Sequence, residues 1–372
     1  MLTGKFSSVT NLWAKSFIAV TGLAILLVAL PAVSQAATPW YSHGKAHTLA
    51  LTEDGKVWAL GENNFGQLGN GTFGGEALEP VMVSKLDGIV AVLAGSQHSV
   101  ALKKDGTVWT WGYNGSGQLG DGTTRHSSVP DKVAGLSNVK AIASGSGHIV
   151  ALKNDGTIWA WGGNQSGQLG NGQNVDCKTP TQVSGLGDVT AIAAGAFNTA
   201  AVKNDGTLWA WGFNGKGQLG NGGNERSSLP VRVSGLDDVH AVAAGDWHVV
   251  ALKHDGTVWA WGSNNVSQLG SSKASHSFSP VQVPGLNNVA DITASVSHTI
   301  AIASNNTVWA WGDAGTGQWG NGMSLAGSVS PVRVAGYNGL VTVAAVVNPD
   351  TVLRHNSDGM SLIAMLAPAS AQ

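Results

Sequence analysis

The stretch Asp105-Gly106-Thr107-Val108-Trp109-Thr110-Trp111-Gly112-Tyr113-Asn114, running on through Gly117-Gln118-Leu119-Gly120-Asp121-Gly122, decides the fold because the chain repeats it. It returns nearly unchanged over Asp155 to Gly172 and Asp205 to Gly222. Ahead of the copies stand Gly-x-x-His turns at Gly95, Gly145 and Gly245, with Gly195 leading to Asn198 and Ser295 leading to His298, all spaced by 50 residues. Gly44 opens the series with one extra residue before the next copy. A fixed period of this size marks a repeat architecture. Inside each unit, short apolar runs such as Val100-Ala101-Leu102 and Val108-Trp109-Thr110-Trp111 flank an Asp-Gly pair, which is a strong hairpin signal. Two further β-like runs follow, for example Pro230 to Val233 and Val239 to Ala244. Four short strands per unit predict a propeller blade.

Composition agrees with a packed all-β chain. Of 372 residues, 52 are Gly and 15 are Trp, 43% are hydrophobic and only 11% are charged. That much apolar surface disfavours disorder, and Gly without a three-residue period excludes collagen. A formal net charge of -2 leaves no field to attract nucleic acid or an anionic membrane. The single Cys, Cys177, excludes an internal disulfide and reads as a tolerated loop residue.

The first 36 residues have the layout of a secretory signal peptide. Lys5 and Lys15 precede an apolar run from Phe17 to Leu30, followed by Pro31 and the small residues Ala32 to Ala37. Ser34 and Ala36 predict cleavage between Ala36 and Ala37. The competing reading is an uncleaved anchor, but the run is shorter than the ~20 residues a spanning helix prefers. A secreted or periplasmic protein is therefore expected, with no membrane association once the signal is removed.

The string from Asp105 to Gly122 closely resembles the regulator of chromosome condensation repeat, and the likeness covers nearly all of the chain after Ala37. The resemblance implies a β-propeller, typically of seven blades, with the two ends of the chain closing one blade together. Intact Trp strands occur at Trp58, Trp109, Trp159, Trp209, Trp259 and Trp309, and a worn unit over 341–366 keeps Asp358-Gly359 but no Trp. Seven blades are favoured and six stay open, with the propeller over 37–366 and a disordered tail over 367–372. Leu60, Ser267 and Ala314 depart from the repeat near its ends, as expected of units that cap or close an array.

Catalytic constellations are missing from the sequence. His47, His98, His148, His248 and His298 occupy one position in successive units, so a propeller spreads them around a ring, whereas zinc needs its ligands ~2 Å from one ion. They read as imidazoles fixed to a neighbouring backbone group, with Asn198 making similar hydrogen bonds in its unit. Asp105, Asp155, Asp205 and Asp255 sit in hairpin turns, where Asp is favoured for backbone reasons. Phosphate loops, nucleophile elbows and zinc-protease helices do not occur. The paired indoles, such as Trp159 and Trp161, share one strand face and read as core. Neither a metal nor a cofactor is expected.

Strand parity places the Gly-x-x-His turns and the Trp-Gly-x-Asn loops on one side of the propeller. Residues that vary there include Tyr113, Phe197, Phe213 and Trp247, beside Glu62, Asp246 and Asp313. Phe197, Phe213 and Trp247 are expected to be near neighbours, with Glu225 and Arg226 as a polar rim, the makings of an interface anchor. Lys103, Lys153, Lys203 and Lys253 fall on the opposite side and read as solvated hairpin tips. The expectation is a monomeric, non-catalytic module that binds an envelope or secreted protein. Alternatives are nucleotide exchange on a small GTPase, implied by the resemblance but opposed by predicted export, a cell-surface carbohydrate binder, and an inhibitor of a secreted enzyme.

Overall fold

Residues 40–271, 274–314 and 325–334 are described by the computed structural model. The predicted signal peptide, the closing unit over 341–366 and the tail over 367–372 lie outside the described residues. Those described form six antiparallel four-stranded sheets, each built from four strands consecutive in the chain. The first holds β1 (Trp40–His43), β2 (His47–Leu51), β3 (Val57–Glu62) and β4 (Glu76–Met82). The second holds β5 (Ile89–Ala94), β6 (His98–Lys103), β7 (Val108–Gly112) and β8 (Ser127–Lys132). The other four sheets begin at Val139, Val189, Val239 and Val289. The all-β propeller expected from the period is thus present, with six blades described. No described sheet joins the two ends of the chain, so the expected shared closure falls outside the described residues.

Each blade starts one strand before the sequence repeat does. The Gly-x-x-His turn therefore joins the first and second strands of one blade rather than linking two blades. The link between blades is the short turn ending at Asn138, Asp188, Asp238 or Asn288, whose φ values are 57°, 57°, 61° and 53°. Asn and Asp tolerate this left-handed region better than most residues, because their short polar side chains bond locally. In the Asp-Gly hairpins, the Asp105 carboxylate accepts hydrogen bonds from both N and Oγ1 of Thr107, at 2.9 and 2.6 Å. Those bonds hold its pKa below the usual carboxylate range.

The core lies between blades. The second strand of each is buried along both faces, as in β6 from His98 to Leu102, so successive sheets pack face to face. Trp111, Trp161, Trp211, Trp261 and Trp311 are fully buried. Their partners two residues earlier are not: Trp109, Trp159, Trp209, Trp259 and Trp309 are half-buried against the core edge. The expectation that both indoles of a pair are core is corrected in this respect. Lys103 and Lys153 lie 5.5 and 5.7 Å from the ring centroids of Trp109 and Trp159. Rather than being merely solvated, these lysines hold their ammonium groups over the faces of the half-buried indoles.

Candidate functional site

One hydrogen-bond circuit repeats at the seams and accounts for most of the sequence motif. Trp111 Nε1 donates to the carbonyl of Gln67 in the preceding blade at 2.9 Å, and the same bond recurs from Trp161 to Gln118, Trp211 to Gln168, Trp261 to Gln218 and Trp311 to Gln268. Ser99 Oγ donates to the same Gln67 carbonyl at 2.8 Å, so its oxygen is left to accept from His47 Nε2, 2.7 Å away. Thr199 and Thr299 serve His148 and His248 in the same way, at 3.1 and 2.9 Å. Gly170 shows why the motif ends in Gly: its φ is 67°, and a Cβ there would lie 2.7 Å from Trp211 Nε1.

His47, His98, His148 and His248 thus meet side-chain hydroxyls of the next blade, not the backbone groups expected from sequence, while Nε2 of His298 is buried without a partner among the described residues. His98 meets Ser144 at 2.9 Å, because Ile149 stands where Ser99, Thr199 and Thr299 supply a hydroxyl at other seams. Asn198 does not reproduce the bond, since Val249 faces it and its Nδ2 has no partner. With Nε2 donating, Nδ1 of His47, His148 and His248 is a buried lone pair without a donor. Desolvation of a would-be cation lowers the pKa of these three to about 3, and that of His98 and His298 to about 4. All five are neutral, and those other than His298 pin one blade to the next. Among the described residues, no group of three His, Cys, Asp or Glu side chains is placed to hold a metal.

The loops above this circuit carry the candidate site. Asn214 accepts the Leu219 amide at its Oδ1 and donates from Nδ2 to three loop oxygens, which freezes the long loop after Gly212. Phe213 N donates to Phe197 O at 2.8 Å, tying that loop to the Gly-x-x-His turn of the same blade. The turn of the next blade delivers Trp247, whose ring centroid is 5.7 Å from Phe197 and 5.7 Å from Phe213, edge-on to the latter. The structure therefore brings Phe197, Phe213 and Trp247 together, with Phe197 39% exposed.

The remaining candidates are placed elsewhere. Tyr113 belongs to a second cluster, 4.9 Å from Phe65 and stacked at 4.9 Å on His126. Asp246 points toward the propeller axis, where its carboxylate meets Lys45 of the first blade at 3.0 Å. Arg226 donates to Gln165 O at 2.9 Å, and so braces the loop of the preceding blade. Glu225 has an exposed side chain, while its carbonyl accepts from Asn214 Nδ2. Glu62 accepts from Asn64, and Asp313 ends the third strand of the sixth blade. Phe65, His126 and Lys45 escaped the sequence reading. Phe65 could have been noticed, because the same repeat position is Ser116, Ser166, Lys216 and Val266 in other units.

Comparison with known proteins agrees with this architecture. The family model for the RCC1-like domain matches residues 28–348. E3 ubiquitin-protein ligase HERC2 of Homo sapiens is 43% identical over 94 residues, which is 25% of this chain and 2% of that protein. The regulator of chromosome condensation of Homo sapiens is 33% identical over 95 residues, 26% of this chain and 23% of its own length. The chain thus matches only small parts of these relatives. Among solved structures, yeast RCC1 (Prp20) bound to Kap60 superposes with a TM-score of 0.70 at 26% identity, covering 80% of this chain and 74% of that one. Human WBSCR16 superposes with a TM-score of 0.72 at 26% identity, covering 81% and 82%. With its repeat, its six described blades and the family match over most of its length, the chain belongs to the RCC1-like domain family.

Proposed function

We propose that the chain is an exported, non-catalytic interaction module that captures a protein partner on the propeller face bearing Phe197, Phe213 and Trp247. The observation that carries this reading is the meeting of three aromatic side chains from two blades on loops braced by the Phe213–Phe197 backbone bond and the Asn214 side chain. Rigid aromatics offered by a fixed scaffold suit an interface anchor, because little side-chain entropy is lost on binding. Support for a protein partner comes from yeast RCC1 (Prp20), which is bound to another protein, Kap60.

Capture from envelope and culture-medium fractions with the mature chain, followed by titration with the partner so identified, tests the reading. Phe213→Ala and Trp247→Ala should each weaken binding by about 2 kcal/mol, the hot-spot threshold, with the melting temperature held. Mutants that melt early while their folded fraction still binds normally would move the binding surface elsewhere.

A further inference from the structure

A repeat protein carries its own control, since a residue needed only for the blade recurs in every blade. The second blade breaks that rule at three positions that converge on one cavity of about 270 Å³, lined by Thr110, Asp121, Arg125, His126, Asp131 and Lys132 among others. Thr110 pairs across the β7–β8 ladder with Asp131. The corresponding pairs elsewhere are Ala59 with Val81, Ala160 with Thr181, Ala210 with Val231, Ala260 with Val281 and Ala310 with Val332. Asp121 accepts from Asn114 Nδ2 at 3.2 Å, a role that Asn171 and Asn221 fill without charge in the next two blades. Packing therefore does not require these polar and acidic groups.

We infer that this cavity is a binding site for a single neutral sugar ring. Its walls carry two carboxylates, Asp121 and Asp131, against two cations, Arg125 and Lys132, so the lining has no net charge to favour an ion. Among the described residues the side chains of Arg125 and Lys132 make no hydrogen bond or ion pair, and Asp131 accepts only the Lys132 amide at 3.2 Å. Thr110, Asp121 and His126 are spent within the blade, since Thr110 Oγ1 donates to Leu119 O, Asp121 accepts from Thr123 N and Oγ1, and His126 Nδ1 accepts from Asn114 N. The donors of Arg125 and Lys132 and the acceptors of Asp131 that remain around one space suit a polyol, whose every hydroxyl both donates and accepts. The volume is just below the ~300–1,000 Å³ of drug-sized pockets, a fit for one ring. On the His126 side the wall continues into the Phe65, Tyr113 and His126 cluster, where the imidazole stacks on Tyr113 at an interplanar angle of 28°. Such a stack offers an apolar flank to the C–H face of a pyranose, which a small zwitterion such as an amino acid would not use.

The test is an NMR titration of the full folded chain with glucose, galactose, mannose and N-acetylglucosamine, followed at the backbone amides of residues 121–132, with glycine as the zwitterionic probe. The expected result is saturable shifts with at least one sugar, at a dissociation constant on the order of millimolar for a ligand of this size. A triple variant, Thr110→Ala with Asp121→Asn and Asp131→Val, installs residues that other blades already use, so it should keep the wild-type melting temperature and bind at least tenfold more weakly. Absence of binding by all four sugars, equal binding by the triple variant, or saturation by glycine in place of the sugars would overturn the proposal. Phe197, Phe213 and Trp247 are untouched in this variant, so the outcome is independent of the protein-binding face.

Discussion

Trp159 and Trp161 stand two residues apart on one strand face and have different consequences for stability. Trp161 pairs in register with Ile149, near the end of the blade where the loop of the preceding blade covers it and Gln118 O accepts its Nε1 hydrogen. Trp159 pairs with Ala151, nearer the Asp-Gly turn, and is half-buried with an unpartnered Nε1. Trp161→Ala should therefore cost about 3–5 kcal/mol, the usual loss for a fully buried aromatic, and should leave a buried carbonyl short of a donor. Trp159→Ala should cost less, because part of its surface is already in water and its Nε1 has no partner to lose. Urea unfolding of the two variants compares them directly, and a larger loss at Trp159 would contradict the assignment. Parity in the sequence showed that the two rings share a face. It could not show how deep each lies, because depth depends on a loop contributed by another unit some 40 residues away.

Between elements, the strongest regularity is the pin from each His to the next blade's hydroxyl, and its exceptions make it testable. At the seam between the fourth and fifth blades, Asn198 faces Val249 and its amide donor is unsatisfied. Asn198→His combined with Val249→Thr rebuilds the pair seen between His148 and Thr199. The double variant should gain about 1 kcal/mol of coupling over the sum of the single changes, the typical net worth of one hydrogen bond. A double-mutant cycle on unfolding free energies measures that coupling, and additivity would mean that the pin contributes nothing. The Gly-x-x-His motif was plain in the sequence, while its partner was not. Ser99, Thr199 and Thr299 alternate with Ile149 and Val249, so the hydroxyls form no repeated motif of their own, and each lies about 50 residues from the ring it serves.

At the scale of the whole molecule, the propeller was legible because one period, one hairpin signal and one alternation agree in nearly every unit, Asn305-Asn306 standing for Asp-Gly in the sixth. The joining of Phe197, Phe213 and Trp247 was legible for the same reason, since parity and adjacency of blades suffice to place them. The Phe65, Tyr113 and His126 cluster was not, because its members come from unrelated positions of two units. Repetition also concentrates one titration in the core. His47, His98, His148, His248 and His298 are buried and His43 is partly buried, with pKa values lowered to about 3 or 4 from an ordinary 6.5. Below pH 6.5 the unfolded chain binds protons at these imidazoles and the folded chain does not, so the unfolded state is favoured progressively until the folded values are reached. Their stabilising contribution is thus complete above pH 6.5 and declines as pH falls toward 4, by up to about 1.4 kcal/mol per pH unit for each ring. Asp291 opposes this with a single group: burial holds its carboxyl well above the usual range, so its own contribution favours folding at lower pH. The hairpin carboxylates, whose folded values are depressed, act only below their ordinary range near 3.8. Between pH 7.5 and 5 the imidazoles should dominate, and the denaturation midpoint should drop steeply once pH passes below 6.5. His148→Asn, the exchange already present at Asn198, should make that slope shallower by one proton while lowering stability at pH 7.5. A midpoint flat from pH 7.5 to 5 would mean that these rings are protonated in the folded state and that the seams accommodate the charge.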